Sequence, residues 1–406
     1  MSTIAYFHSL LAFFTEHFDQ LSLTAEDREN IEALLSTQFE DFHLGPLTLA
    51  MKAMIGDGLF AQDGTAWKRS REVLRRRFMR IQYQNLKGFR EHLEMLTERL
   101  KTSYGIKDLH PVFYRLTLDI TIAMILGQPV ESFKHESGDL FSKAFGQASL
   151  VTGTLARLGD LYFLYSPTGF LETLENPVNS EKASFISELY RGNEDLQLVR
   201  DQVLNVLIAG RDTTAATLSY AFHLVLRNPS VLETFRCEIH TVFGPEKDIK
   251  RAHIQRMPYL HNVLQEKYAA LRLYPPVPIN TRFCRKTTTL PFGGAPDGRS
   301  PLLGREGMPV AYSVYHIQRR KDIYGPDHLT IGWAYLPFNG GPRLCLGKDF
   351  GLMLASCAIV RIIQAYPGIK LALGTALEEP GTKRQHLTLC TAVLRQSRPS
   401  VFFVDE

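Results

Sequence analysis

Cysteine is scarce in this sequence. Five residues in 406, at positions 237, 284, 345, 357 and 390, lie too far apart for a disulfide framework, and no CxxC pair offers a structural zinc site. That usage points to a reducing compartment. Long apolar runs are missing as well: the N-terminal "IAYFHSLLAFF" is interrupted by His8 and Ser9 and falls short of the roughly 18–20 residues that span a bilayer. No Lys or Arg precedes the run and no small-residue cleavage site clearly follows it, so secretion is not expected. Residues 1–21 are expected to form a segment without a full transmembrane helix. Gly/Ser-rich and Pro-rich linkers, repeats and low-complexity tracts are lacking too, and a single domain is expected over residues 22–406. The net charge of +4 is small for this size and argues against a nucleic-acid partner.

What is present is 45% hydrophobic and 22% charged, an ordinary globular composition able to bury a large core. The charge is uneven, because Lys68, Arg69, Arg71, Arg75, Arg76, Arg77 and Arg80 crowd together. Apolar residues recur at three-and-four spacing in 25–36, 66–80, 85–103, 112–126, 198–225, 229–242, 253–273 and 348–365, which predicts helices. Strand patterns are fewer: "PVAYSVY" from 309, "HLTLCTAVL" from 386 and, more weakly, "TTTLPF" near 287. Between 274 and 308, Pro275, Pro276 and Pro278 stop a helix and "GGAPDGRSPLLGREG" reads as an irregular surface excursion. A mainly α fold with a small β portion follows.

One cysteine stands apart. In "FNGGPRLCLG", residues 338–347, Gly340 and Gly341 permit a tight turn, Pro342 stiffens it, and a helix is predicted to begin near Gly347 with its positive end toward Cys345. A fixed backbone and a helix N-terminus favour a thiolate, and heme iron accepts a single axial cysteinate. Arg343 is placed to reach a carboxylate of the same cofactor. In "AGRDTT", residues 209–214, Gly210 costs about 1 kcal/mol within a helix and opens room above a flat cofactor, while Asp212 and Thr213 pair an acid with an alcohol. Thr213 is expected to return its hydroxyl to the carbonyl of Ala209.

Phe338, Gly341, Arg343, Cys345 and Gly347 fill the five fixed positions of FxxGxRxCxG, and in this the chain resembles the cytochrome P450 superfamily. Its "AGRDTT" is similar to that family's oxygen-activating stretch on a long distal helix. Trp67 and Arg71 reproduce its WxxxR heme-propionate pattern, and Arg282 in "PINTRFC" resembles the strand arginine that meets the other propionate. The resemblance implies a P450 fold with heme between distal helix and cysteine loop, heme b with Cys345 as axial ligand, and oxygenation assisted by Asp212 and Thr213. It also implies electrons from an NADPH-cytochrome P450 reductase, docked on the basic cluster around Trp67. "RLYPPVPIN", "YSVYHIQRRKDIYGPD" and "WAYLPFNGGPRLCLG" most resemble fungal microsomal hydroxylases of n-alkanes and fatty acids. The implied substrates are O2 and an alkyl chain, a fatty acid or a lipophilic secondary-metabolite intermediate. The implied location is the endoplasmic reticulum surface, with peripheral contact through residues 4–14, and otherwise the cytoplasm.

The sequence departs from the family pattern in three places. The glutamate of ExxR should lie three residues before Arg272, where Ala269 stands, and Glu266 lies six residues before it. Omitting Lys267-Tyr268-Ala269 would restore the motif. No arginine follows "YGPD" before the heme loop, and the segment between "GDLYFLYSPTGF" and "NEDLQLVRDQ" is short. These departures frame the alternative to a monooxygenase, a non-catalytic remnant with weak or no heme binding.

Overall fold

Most of the three-and-four apolar spacing becomes helix in the computed structural model, which describes residues 23–24, 27–84, 86–101, 105–126, 195–244, 248–265, 270–324, 332–371, 385–387, 392–394 and 400–403. The longer helices are α1 (Leu47–Ile55), α2 (Gly64–Gln84), α3 (Leu86–Lys101), α4 (Leu109–Leu126), α5 (Leu196–Arg227), α6 (Pro229–Phe243), α7 (Pro258–Gln265) and α8 (Lys348–Ala365). The strands are β1 (Leu23–Thr24), β2 (Phe42–His43), β3 (Gly105–Asp108), β4 (Ile279–Cys284), β5 (Thr288–Gly294), β6 (Ser300–Gly304), β7 (Pro309–Ser313), β8 (Lys370–Leu371), β9 (Gln385–Leu387), β10 (Ala392–Leu394) and β11 (Ser400–Phe403). Two compact units result, one from residues 1–45 and 277–345, the other from 46–276 and 346–406. The N-terminal apolar run and Glu266–Ala269 lie outside the described residues.

The first unit is the β portion. Its four-stranded sheet runs β1-β7-β4-β2, with β1 parallel to β7 and β7 antiparallel to β4 so that Arg282 lies opposite Val310. Alternation along β7 sends Val310 and Tyr312 into a core shared with Ile31, Leu34, Leu35, Leu290 and Ile317. The stretch 274–308, expected to be irregular, is mostly strand: β4 is followed by the β5–β6 hairpin. Its Gly-Pro-rich sequence is the hairpin tip, where Gly293, Ala295 and Gly298 take positive φ and the Gly293 N–H donates to the Gly298 carbonyl at 2.8 Å. Asn30, 1% exposed, acts as an extra strand neighbour to Phe292, accepting from its N–H at 2.9 Å and donating to its carbonyl at 3.1 Å.

The second unit packs helices around α5. Asp195 caps α5 by accepting from the N–H groups of Gln197 and Leu198 at 3.0 and 3.1 Å, and Pro229 opens the next helix. Phe113 of α4 stacks on Phe222 of α5 at 5.5 Å between ring centroids, and Leu354, Ala358 and Ile362 of α8 join the same core. The expected helix 253–273 is broken into Arg251–Gln255, α7 and Ala270–Leu273. Pro258 has no N–H to continue the first of these, so a new helix starts there. Glu238 of α6 caps the new start, accepting from the N–H groups of Tyr259 and Leu260 at 2.7 and 3.0 Å. A three-stranded sheet β3-β11-β8 and the hairpin β9–β10 complete the unit, the hairpin splitting the expected single strand from 386 in two. Among the described residues no helix is long and apolar enough to cross a membrane.

Replacing Asn30 by alanine would leave the N–H and C=O of Phe292 without these bonds, at a cost of about 2–3 kcal/mol. Thermal unfolding monitored by circular dichroism should show the midpoint fall, with Asn30→Asp milder than Asn30→Ala because it keeps the acceptor.

Candidate active site

The turn that presents Cys345 is shaped by its backbone. Asn339 and Gly341 take φ of 63° and 61°, and Gly341–Arg343 forms a 3-10 turn. The Cys345 N–H donates to the Phe338 carbonyl at 3.0 Å and the Leu344 N–H to that of Gly341 at 3.0 Å, which closes the loop on itself. A Cβ on Gly341 would overlap the carbonyl oxygen of Leu35, so only glycine fits. Asparagine tolerates the left-handed region, and the Asn339 side-chain oxygen accepts from the Tyr312 hydroxyl at 3.0 Å. Cys345 is exposed, as is the neighbouring Leu344 at 40%. Gly347 is the N-cap of α8.

Two arginines border this turn within the same unit. Arg282 is buried, donates to the Thr281 carbonyl at 2.8 Å and stands 6.0 Å over the ring of Tyr312. Burial pushes the Tyr312 phenol up, and the nearby charges of Arg282 and Arg343 partly offset this. Tyr312 therefore stays a neutral donor.

In the other unit, Thr213 donates to the Ala209 carbonyl at 2.6 Å, as its sequence context predicts. Gly210 serves a different purpose from the expected one: the space its side chain would fill belongs to α4, where Thr121 Oγ1 would lie 2.6 Å from a Cβ. Thr117 of α4 donates to the Arg211 carbonyl at 2.9 Å, fixing the same approach. Asp212 and Thr213 do not share a face, since successive helical residues point about 100° apart. Asp212 is fully buried with an oxygen 3.5 Å from Arg211 Nη1, and Arg211 lies 4.9 Å over the ring of Tyr114. Thr213 is half-buried.

On α2, Trp67 is buried and the Arg71 guanidinium lies 5.7 Å from the centre of its ring, so the i,i+4 pair shares a face. Lys68, Arg69, Arg75 and Arg76 are exposed on this helix, with Arg76 bonded to Glu72 at 2.9 Å. Arg272 lies in the short helix Ala270–Leu273. The other thiols differ from Cys345. Burial pushes Cys357 up to about 12 and raises Cys284, leaving Cys237 as the second exposed thiol among the described residues.

The family described as Cytochrome P450 matches residues 170–370. Cytochrome P450 52A10 of Candida maltosa is 36% identical over 94% of this chain and 82% of its own length. Cytochrome P450 52A13 of Debaryomyces hansenii is 36% identical over 91% and 79%. The chain belongs to the cytochrome P450 family. Solved structures agree on the fold: the heme domain of cytochrome P450DA superposes with a TM-score of 0.69 at 20% identity, covering 94% of this chain and 87% of the other. A second P450, CYP102L1, gives 0.71 at 19% identity over 94% and 92%.

This P450 is therefore a monooxygenase of lipophilic substrates with a heme-thiolate cofactor. Within the first unit the residues suit that cofactor: Cys345 is an exposed soft ligand in a turn held by backbone bonds, with Arg343 in the turn and Arg282 on β4 as cations for carboxylates. The second unit, taken by itself, carries the Trp67–Arg71 pair and the Thr213 back-bond to Ala209 on α5. Asp201, Gln202 and Asn205 are polar residues buried on α5 that no motif marks. Their signal was "RDQVLN", a polar run on an otherwise apolar face, and "GDG" at 56–58.

Gly341→Ala combines a left-handed φ with a backbone overlap and should cost about 3 kcal/mol or more; heme bound per purified polypeptide should drop sharply. Alkylation at about pH 8 should spare buried Cys284 and Cys357, whose thiols are held protonated by burial, while exposed Cys237 reacts. Mass spectrometry of the labelled native protein reads both.

Proposed function

We propose that this P450 hydroxylates an alkyl chain or fatty acid, with Cys345 as the axial thiolate and electrons delivered by an NADPH-dependent reductase. The observation that carries the proposal is the exposed thiol of Cys345 at the end of a backbone-closed turn. Similarity of "RLYPPVPIN" and "WAYLPFNGGPRLCLG" to alkane and fatty-acid hydroxylases supports the substrate class. Heme, when bound, supplies the iron at which oxygen is activated.

The chain's own residues take the remaining roles. Arg343 and Arg282 in the β unit, and the Trp67–Arg71 pair in the helical unit, would each offer charge and N–H donors to a heme carboxylate. Thr213, its proton engaged by the Ala209 carbonyl, would keep oxygen lone pairs available to accept from water or ligand. Asp212, buried beside Arg211, serves as the acid of the proton supply, one residue along but on another face. Gly210 lets α4 and α5 approach closely enough to fix that stretch. The exposed cations Lys68, Arg69, Arg75 and Arg76 form the docking face for an acidic reductase, and membrane association rests on an interfacial segment at the endoplasmic reticulum surface.

The carbon monoxide difference spectrum of dithionite-reduced protein tests the ligand. A red-shifted thiolate-type Soret band that Cys345→Ala abolishes is the expected result. A wild type without heme would instead favour a non-catalytic remnant. Thr213→Ala should keep the band yet yield roughly 10²-fold less hydroxylated fatty acid per turnover, a loss read by product analysis against NADPH consumed.

A further inference from the structure

The turn between α1 and α2 is bolted to α5 by side chains whose purpose the monooxygenase chemistry does not explain. Asp201 Oδ2 accepts from the Asp57 N–H at 2.8 Å, Gln202 Oε1 from the Leu59 N–H at 3.1 Å, and Asn205 Oδ1 from the Phe60 N–H at 2.8 Å. Asn205 also donates to the Ile55 carbonyl at 2.8 Å. Three α5 side chains within two helical turns thus accept from backbone N–H groups of this turn. All three side chains are at most 4% exposed. The fit is close: a Cβ on Gly56, at φ +64, would overlap the Asp201 carboxylate, and one on Gly58 the Asn205 amide.

The same network reaches α2 directly. Gln202 Nε2 donates to Ser70 Oγ at 2.9 Å, Ser70 Oγ to Gln62 Oε1 at 2.6 Å, and Gln62 Nε2 to the Asp57 carbonyl at 2.7 Å. Ser70 stands between Trp67 and Arg71 on the helix, and Asn205 lies one turn before Ala209. A buried polar chain satisfied at every link is rigid.

We propose that Asp201, Gln202 and Asn205 are positioning residues that set Trp67 and Arg71 against the Ala209–Thr213 stretch, and so govern heme retention. The inference rests on the assignment of Trp67 and Arg71 to the heme carboxylates. Outer partners of this kind typically change affinity by about 10–100-fold when removed.

The test compares heme-loaded full-length wild type with Asn205→Ala, Gln202→Ala and Asp201→Asn, by hydrogen exchange and by heme transfer to excess apomyoglobin. Asn205→Ala and Gln202→Ala should speed exchange at Leu59 and Phe60 and raise the heme-transfer rate roughly tenfold or more, with exchange in α6 unchanged. Asp201→Asn keeps an acceptor for the Asp57 N–H but gives up the charge paired with Arg200, and should fall between wild type and Asn205→Ala. Should Asn205→Ala fail to fold, Gln202→Ala decides, since it removes only two bonds. Faster exchange at Leu59 and Phe60 with heme transfer unchanged would overturn the proposal alone, reducing the network to a loop fastening. A wild type that binds no heme would overturn the heme assignment and this inference with it.

Discussion

A helix buried along most of 32 residues must satisfy every polar side chain it carries, because water is not there to do so. That constraint governs the helical unit. In α5, Thr213, Thr217 and Ser219 return their hydroxyls to carbonyls one turn back, while Asp201, Gln202 and Asn205 reach outward to backbone amides of the turn at 57–60. The first group loosens the helix from within and the second ties it to its surroundings. Close packing on α4 is the other face of the constraint, since Gly210 gives up its side chain to Thr121 and the Arg211 carbonyl accepts from Thr117.

The β unit solves a different problem, that of holding one thiol outward from a turn. Its answer uses backbone conformations that most residues avoid. Asn339 and Gly341 at positive φ, the cross-loop bond from Cys345 to Phe338 and the Tyr312 hydroxyl on Asn339 leave the turn little freedom. Tyr312 is buried in the sheet core, so the turn inherits the rigidity of β7. The same ring lies under Arg282, which couples a strand cation to the loop.

Legibility in the sequence followed the range of the interaction. The cysteine turn, the i,i+4 pairing of Trp67 with Arg71 and the Thr213 back-bond are set by residues a few positions apart, and the structure reproduces all three geometries. Gly210 was misread because its cause is Thr121, 89 positions away in the chain. The stretch 274–308 looked irregular because a hairpin tip rich in glycine and proline masks the strands beside it. The expected helix 253–273 ignored Pro258. Asp212 and Thr213, adjacent in sequence, point about 100° apart on the helix, Asp212 beside Arg211.

By itself the sequence determined the helical character, the Cys345 turn and the family, because each depends on local periodicity or on a contiguous motif. Tertiary structure alone decided that a glycine makes room for a helix rather than a cofactor, and that a phenol deep in a sheet steadies the cysteine turn. It alone joined "GDG" at 56–58 to "DQVLN" at 201–205, since hydrogen bonds between segments more than 140 residues apart leave no periodic trace in either segment.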